Sequence, residues 1–124
     1  MEIGPLVKQK IVTVGPHHSL AEAAGRMSAR QVGSAVVLTE DGQPGIITER
    51  DVLRAVAENV DLGDARVEQY MTPNAITATR SWEVEKAARC MIEGGFRHLI
   101  VLDEGGEAEG ILSIRDLVEA LLQR

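Results

Sequence analysis

The sequence predicts an α+β fold of two β-α-β-β-α repeats related by a pseudo-two-fold, and three observations carry that prediction. First, Gly45-Ile46-Ile47-Thr48-Glu49-Arg50-Asp51 returns as Gly110-Ile111-Leu112-Ser113-Ile114-Arg115-Asp116. Second, the residues ahead of each string match: Leu20, Ala23, Ala24 and Met27 reappear 64 positions later as Val84, Ala87, Ala88 and Met91. Val36-Val37-Leu38 and Ile100-Val101-Leu102 keep that shift, and one extra residue in the second loop moves the glycine strings to a shift of 65. Third, the chain has 124 residues, the length of one compact domain. A repeat half that size buries little core alone, so the copies are expected to pack as a pair, with two related clefts following from the symmetry.

Residues 1–10 read as an N-terminal leader or short cap. The first repeat is expected over 11–60, a linker over 61–74 and the second repeat over 75–124. Ile11 to Val14 is a short β-rich run ended by Gly15-Pro16. Ser19 opens a helix, with Glu22 three residues on as the partner in a capping box. Leu20, Ala23, Ala24 and Met27 form its buried stripe, and Gly33 is expected to break it. Ser34 to Leu38 reads as a strand, Asp41-Gly42 as a turn, and Gly45 to Thr48 as a short apolar strand covered on both faces. A helix follows to about Asn59, with Val52, Leu53, Val56 and Val60 as its apolar stripe. The second repeat runs in the same order: strand Ala75–Ala78, helix Ser81–Glu93, strand His98–Leu102, a Gly105-Gly106 turn, strand Gly110–Ser113 and a helix to Gln123.

Composition narrows the function. The apolar content of 44% is sufficient for a core, yet Phe96, Trp82 and Tyr70 are its only aromatics. A net charge of −6 argues against a general nucleic-acid binder, which needs a basic footprint and stacking rings. No apolar run approaches the roughly 18 residues of a membrane span. The N-terminus lacks the charged and apolar regions of a signal peptide. The single Cys90 cannot form an internal disulfide, which fits a reducing cytoplasm, and buried filler is its expected role.

The sharpest chemical feature is Thr48-x-Arg50-Asp51 and its twin Ser113-x-Arg115-Asp116. Each falls where a buried strand runs into a helix, whose first N–H groups have no intrahelical partner and whose dipole favours an anion. The hydroxyl can donate to a phosphate or ribose oxygen, the arginine can neutralise phosphate, and the carboxylate can accept from a ribose diol. A plain helix cap explains the hydroxyl and the acid equally well. It does not require the arginine or the glycine ahead of the strand, and one residue can cap and bind together.

Two such repeats, each closing on Gly-apolar-apolar-(Thr/Ser)-x-x-Asp, resemble a tandem pair of CBS domains, the Bateman module. Val32-Gly33-Ser34-Ala35-Val36-Val37, Phe96 through Asp103, and Met71-Thr72 ahead of the second repeat also fit that family, over about Val7 to Leu122. The resemblance implies two inter-repeat clefts for adenosine-containing ligands: AMP, ADP, ATP, S-adenosylmethionine or NAD. One cleft takes Thr48, Arg50 and Asp51 with Arg97 and His98 at the phosphates, and Met71, Thr72, Ala75 and Ile76 around the base. The opposite cleft takes Ser113, Arg115 and Asp116 with Ser34, and Lys8 and Ile11 along the base. Gly33 and Ser34 stand where Arg97 and His98 stand in the other copy, so the Asp51 cleft is expected to be the more cationic and the tighter site. Val7-Lys8 replaces the Met-Thr that precedes the second repeat, a departure at the base end of the Asp116 cleft.

The first expectation is therefore a cytoplasmic, non-catalytic regulatory module, homodimeric, that signals to an effector protein through its bound ligand. The alternative is a structural dimerisation module with no bound nucleotide. Intact hydroxyls, arginines and carboxylates in both copies favour binding. An enzyme is disfavoured because no triad, paired carboxylates, metal cluster or phosphate-transfer loop is legible. His17-His18 lacks a third ligand at a recognisable spacing, and Trp82 is expected to serve packing or a dimer contact rather than stack on a base.

Overall fold

The structure, a computed structural model, describes residues 1–7 and 11–123. Lys8, assigned above to the base end of one cleft, lies outside the described residues. The chain folds as two compact units, one of Val12–Ala75 and the other of the remaining described residues. Each is a three-stranded sheet with helices packed on it, in the predicted element order.

In the first unit β1 (Thr13–Val14) leads into α1 (Leu20–Arg30), then β2 (Ser34–Val37), β3 (Gly45–Thr48) and α2 (Glu49–Ala57). The sheet order is β1-β2-β3, with β1 parallel and β3 antiparallel to β2. A short helix α3 (Val67–Tyr70) follows. The second unit has β4 (Thr77–Thr79), α4 (Val84–Gly94), β5 (His98–Leu102), β6 (Ala108–Ser113) and α5 (Ile114–Leu122). Its order β4-β5-β6 has the same parallel and antiparallel senses. The central strands β2 and β5 are almost wholly apolar because both faces are covered.

Several boundaries fall differently from the sequence reading, each for a local reason. Helix α1 ends at Arg30, before Gly33, because Gln31 turns left-handed (φ 56°) and its N–H caps the Met27 and Ser28 carbonyls. Gly95 (φ 72°) does the same for α4. The expected Ser19 capping box is half made: Ser19 Oγ accepts from the Glu22 N–H at 3.1 Å, while the Glu22 carboxylate meets Arg26 at 3.2 Å. Helix α4 starts at Val84, later than expected, with no side-chain cap on Glu83.

Strand β6 starts at Ala108 rather than Gly110. Leu102 pairs with Ala108 but Val101 with Gly110, so the extra residue of the second repeat is a β-bulge at Glu109. The Glu109 carboxylate is held by Arg80 at 3.0 Å. The apolar stripe of α2 is also narrower than its spacing suggests. Asp51 and Ala55 are buried and Val52 is half-buried, whereas Leu53 is 67% and Val56 51% exposed. In α5 the equivalent Leu117 is buried, and Val118 and Leu121 are exposed like their counterparts.

The segments ahead of each repeat are structural. Val67 and Ala65 belong to the core of the first unit, where Leu20 N–H donates to Ala65 O and Val67 N–H to His18 O. Ile3, fully buried, holds the matching place in the second unit, where Val84 N–H donates to Met1 O and Ile3 N–H to Trp82 O. Each of these residues in the second unit is its counterpart shifted by 64, so the repeat extends back to Met1.

Candidate ligand-binding site

Both strand-to-helix junctions fold as complete capping boxes. At the first, the Thr48 N–H and hydroxyl donate to Asp51 Oδ2 at 2.9 and 3.2 Å, and the Asp51 N–H donates back to Thr48 Oγ1 at 3.4 Å. At the second, Ser113 N–H and hydroxyl donate to Asp116 Oδ2 at 2.8 and 2.9 Å, and Asp116 N–H donates to Ser113 Oγ at 3.1 Å. The helix turn that follows fixes Cα positions so that residues one and four meet, which is why the Thr/Ser-x-x-Asp spacing closes this ring. The cap uses Oδ2 of each carboxylate. Asp51 is only 9% exposed, held by the α2 turn against the sheet.

The two junctions have the same backbone frame. Ser34 pairs with Thr48 across β2 and β3, and His98 pairs with Ser113 across β5 and β6. Glu49 N–H donates to Gly33 O at 3.0 Å, and Ile114 N–H donates to Arg97 O at 2.8 Å. Arg50, Arg97 and Arg115 are exposed, and His98 and Asp116 are half-buried.

Met71, Thr72 and Ala75 lie along the free edge of β3. Ile46 and Thr72 exchange N–H···O bonds of 3.0 and 2.9 Å, and Ala75 N–H donates to Pro44 O. Gly45 is required there, since a Cβ would come within 3.0 Å of Thr72 O and 3.1 Å of Met71 Sδ. The first unit therefore gathers Thr48, Arg50, Asp51, Met71, Thr72 and Ala75, together with Ser34. The second unit gathers Arg97, His98, Ser113, Arg115 and Asp116, with Ile11 and Ile76 belonging to it.

Sequence reading passed over Arg54 and Tyr70. Arg54 Nη1 lies 3.7 Å from Asp51 Oδ1, its Nη2 donates to Tyr70 O at 3.1 Å, and its guanidinium sits 5.2 Å from the Tyr70 ring centroid. Tyr70 donates its hydroxyl to Glu58 at 2.6 Å, which raises its pKa above the usual value. An open groove of about 550 Å³ lies beside them, lined by Glu58, Asp61, Asp64 and Gln69 among others. The i, i+3 spacing of Asp51 and Arg54 was a readable signal on a helix; the approach of Tyr70 from the following segment was not.

The other singled-out residues have local roles. His18 Nδ1 accepts from Gly15 N–H at 2.9 Å, and exposed His17 stands 3.6 Å from Glu68. Trp82 and Cys90 are partly buried against the second core, and Lys86 Nζ sits 4.0 Å over the Trp82 ring. No group of three metal-ligating side chains occurs among the described residues. No helix among them is long and apolar enough to cross a membrane.

The CBS domain model matches residues 3–58 and again 67–123, and the chain belongs to the CBS domain family as a tandem pair. It is 41% identical over 122 residues to an uncharacterised 17.7 kDa protein of Acidianus ambivalens, covering 98% of this chain and 73% of that one. Among solved structures it resembles a CBS domain protein from Pyrobaculum aerophilum complexed with AMP, with a TM-score of 0.84, 30% identity and full coverage of both chains. It also resembles a putative signal-transduction protein with CBS domains from Burkholderia ambifaria, with a TM-score of 0.88, 30% identity, and 99% and 95% of the two chains covered. Other curated relatives are longer, and the chain spans as little as 15% of one of them.

Proposed function

We propose that this CBS pair is a non-catalytic regulatory module that binds an adenosine-containing ligand and signals its presence to an effector protein. The observation that carries the reading is the twin Thr48–Asp51 and Ser113–Asp116 junction, in a chain similar to a protein complexed with AMP. Each carboxylate closes its cap through Oδ2, and in this reading the same carboxylates accept from a ribose diol. Arg50, with Arg97 and His98, supplies positive charge for phosphate in one cleft; Arg115 with Ser34 serves the other. Met71, Thr72, Ala75 and Ile76 wall the base in the first, and Lys8 and Ile11 in the second. AMP, ADP, ATP, S-adenosylmethionine and NAD share this ribose grip.

The ligand acts by shifting a population: it bridges two repeats and favours the arrangement to which it binds best. Leu53 and Val56 on α2, with Val118 and Leu121 on α5, are exposed at matching positions and supply the apolar surface for a cytoplasmic homodimer. A thermal-shift panel of these ligands and GTP on the wild type, Asp51→Ala and Asp116→Ala tests the reading. At 100 times its dissociation constant a ligand adds about 2.7 kcal/mol of stability. Shifts confined to adenosine compounds and lost in one variant support the proposal. No shift with any of them favours the dimerisation module without a nucleotide.

A further inference from the structure

We infer that Arg54 is the positioning residue of the Asp51 site: anchored on Tyr70, its guanidinium holds the Asp51 carboxylate in the orientation that a ribose diol meets. This rests on the reading of Asp51 as the ribose acceptor, and it concerns the Val12–Ala75 unit alone.

Asp51, Arg54 and Glu58 follow one another at i, i+3 and i+7, so they form one stripe along α2 and onto its C-cap. Asp51 Oδ2 is committed to the cap with Thr48, and Arg54 Nη1 stands 3.7 Å from Oδ1. That separation is beyond hydrogen-bond reach, so the guanidinium attracts the carboxylate without occupying its lone pairs. The guanidinium is itself held. Its Nη2 donates to Tyr70 O at 3.1 Å, and its centre lies 5.2 Å from the Tyr70 ring centroid. The ring packs on the first core, and its hydroxyl donates to Glu58 at 2.6 Å. A planar fork can face Asp51 with one nitrogen and a backbone carbonyl with the other, which an ammonium cannot do as well.

The fold does not require this chain of contacts. The second unit closes the same Ser113–Asp116 ring with Glu119, Gln123 and Leu6 at the positions of Arg54, Glu58 and Tyr70. Glu119 turns instead to Arg115 Nε, at 3.1 Å. One junction therefore has an anchored arginine a turn beyond its carboxylate, and the other has an acid. Arg54 is also half-exposed, where an ion pair contributes little to stability, so Arg54→Ala is expected to fold like its parent.

Isothermal titration of the full chain with AMP and with adenosine tests this, in an Asp116→Ala parent that leaves the Asp51 site to be read alone. Arg54→Ala is expected to weaken both probes about tenfold, within the range of couplings in one contact network. The two probes share the ribose and differ in the phosphate, so an effect on positioning moves both. Arg54→Lys keeps the charge but loses the fork, and should remain at least about threefold weaker than the parent. Tyr70→Leu removes the anchor and should cost about threefold alone, with almost no further loss when added to Arg54→Ala. Absorbance of the single tyrosine checks the contact: Arg54→Ala should move its ionisation further up, because the guanidinium opposes the rise. Loss for AMP alone, full recovery in Arg54→Lys, additive losses with Tyr70→Leu or an unmoved tyrosine would each overturn the inference, as would a parent that binds neither probe while the wild type binds. Binding of neither probe by the wild type, or binding indifferent to both Asp51→Ala and Asp116→Ala, would remove the ligand reading itself and this inference with it.

Discussion

In the first repeat Asp51 is buried and has Arg54 3.7 Å away, with Tyr70 beyond it. In the second, Asp116 is half-buried and the matching helix position holds Glu119, which pairs with Arg115 instead. The capping rings of the two nevertheless make the same three bonds, at 2.9, 3.2 and 3.4 Å in the first and 2.8, 2.9 and 3.1 Å in the second. Backbone geometry at these junctions is set by the strand-turn-helix path and tolerates little variation. Side chains one turn later face solvent and are free to diverge, and there the two junctions acquire different charge.

The comparison breaks most easily at the segments ahead of each repeat. Ile3 is fully buried in the second core, at the place that Val67 holds in the first. Ile3→Ala is expected to lower stability by about 2–5 kcal/mol in chemical denaturation. Val67→Ala should cost less, since it removes fewer methylenes. A neutral Ile3→Ala would mean that the first residues are no part of the second core.

The junctions themselves give the next effect. Thr48→Ala and Ser113→Ala should each cost about 0.5–2 kcal/mol, as the loss of a helix N-cap does. Thermal denaturation of the two variants side by side measures whether the rings are equivalent in energy as in geometry. A difference above the width of that range would show that one junction is supported elsewhere.

The smallest effect belongs to the first repeat alone. Tyr70 is the single tyrosine, so its phenolate absorbance reports one site. Its pKa is raised because its hydroxyl donates to Glu58, with burial and the Glu58 charge adding to the effect and Arg54 opposing it. A raised folded value means that the neutral tyrosine contributes stability below its ordinary value near 10, and that this is lost as pH rises through the folded value. Titration should find ionisation above that ordinary value, and Glu58→Gln should bring it down. An unchanged titration in Glu58→Gln would dissolve the Tyr70–Glu58 link.

Much of the fold was legible in the sequence because its signals are local. The strings at Gly45 and Gly110 mark buried strands entering capped helices, and both boxes form where Thr/Ser-x-x-Asp predicts them. The α1 stop was misread because Gln31, a residue with no strong turn preference, takes the left-handed position while Gly33 makes room for Glu49. Leu53 and Val56 fit a helical stripe by spacing, yet the core contacts the face bearing Asp51 and Ala55. Periodicity gives the width of an apolar face, but its rotation depends on where the sheet lies.

The sequence by itself determined the repeat, the element order and the capped junctions, since these follow from residue spacing within a few turns of chain. Tertiary structure alone decided that Met1–Val7 completes the second unit and the 65–70 segment the first, because burial of Ile3 and Val67 depends on chain segments far away in sequence. It also decided the charge around each junction. Arg54, Tyr70 and Glu58 meet only after α2 and α3 pack, and the Glu49 carboxylate finds Gly33 only when β3 returns beside β2. Such contacts are set by the closing of loops and layers, which no short stretch of sequence encodes.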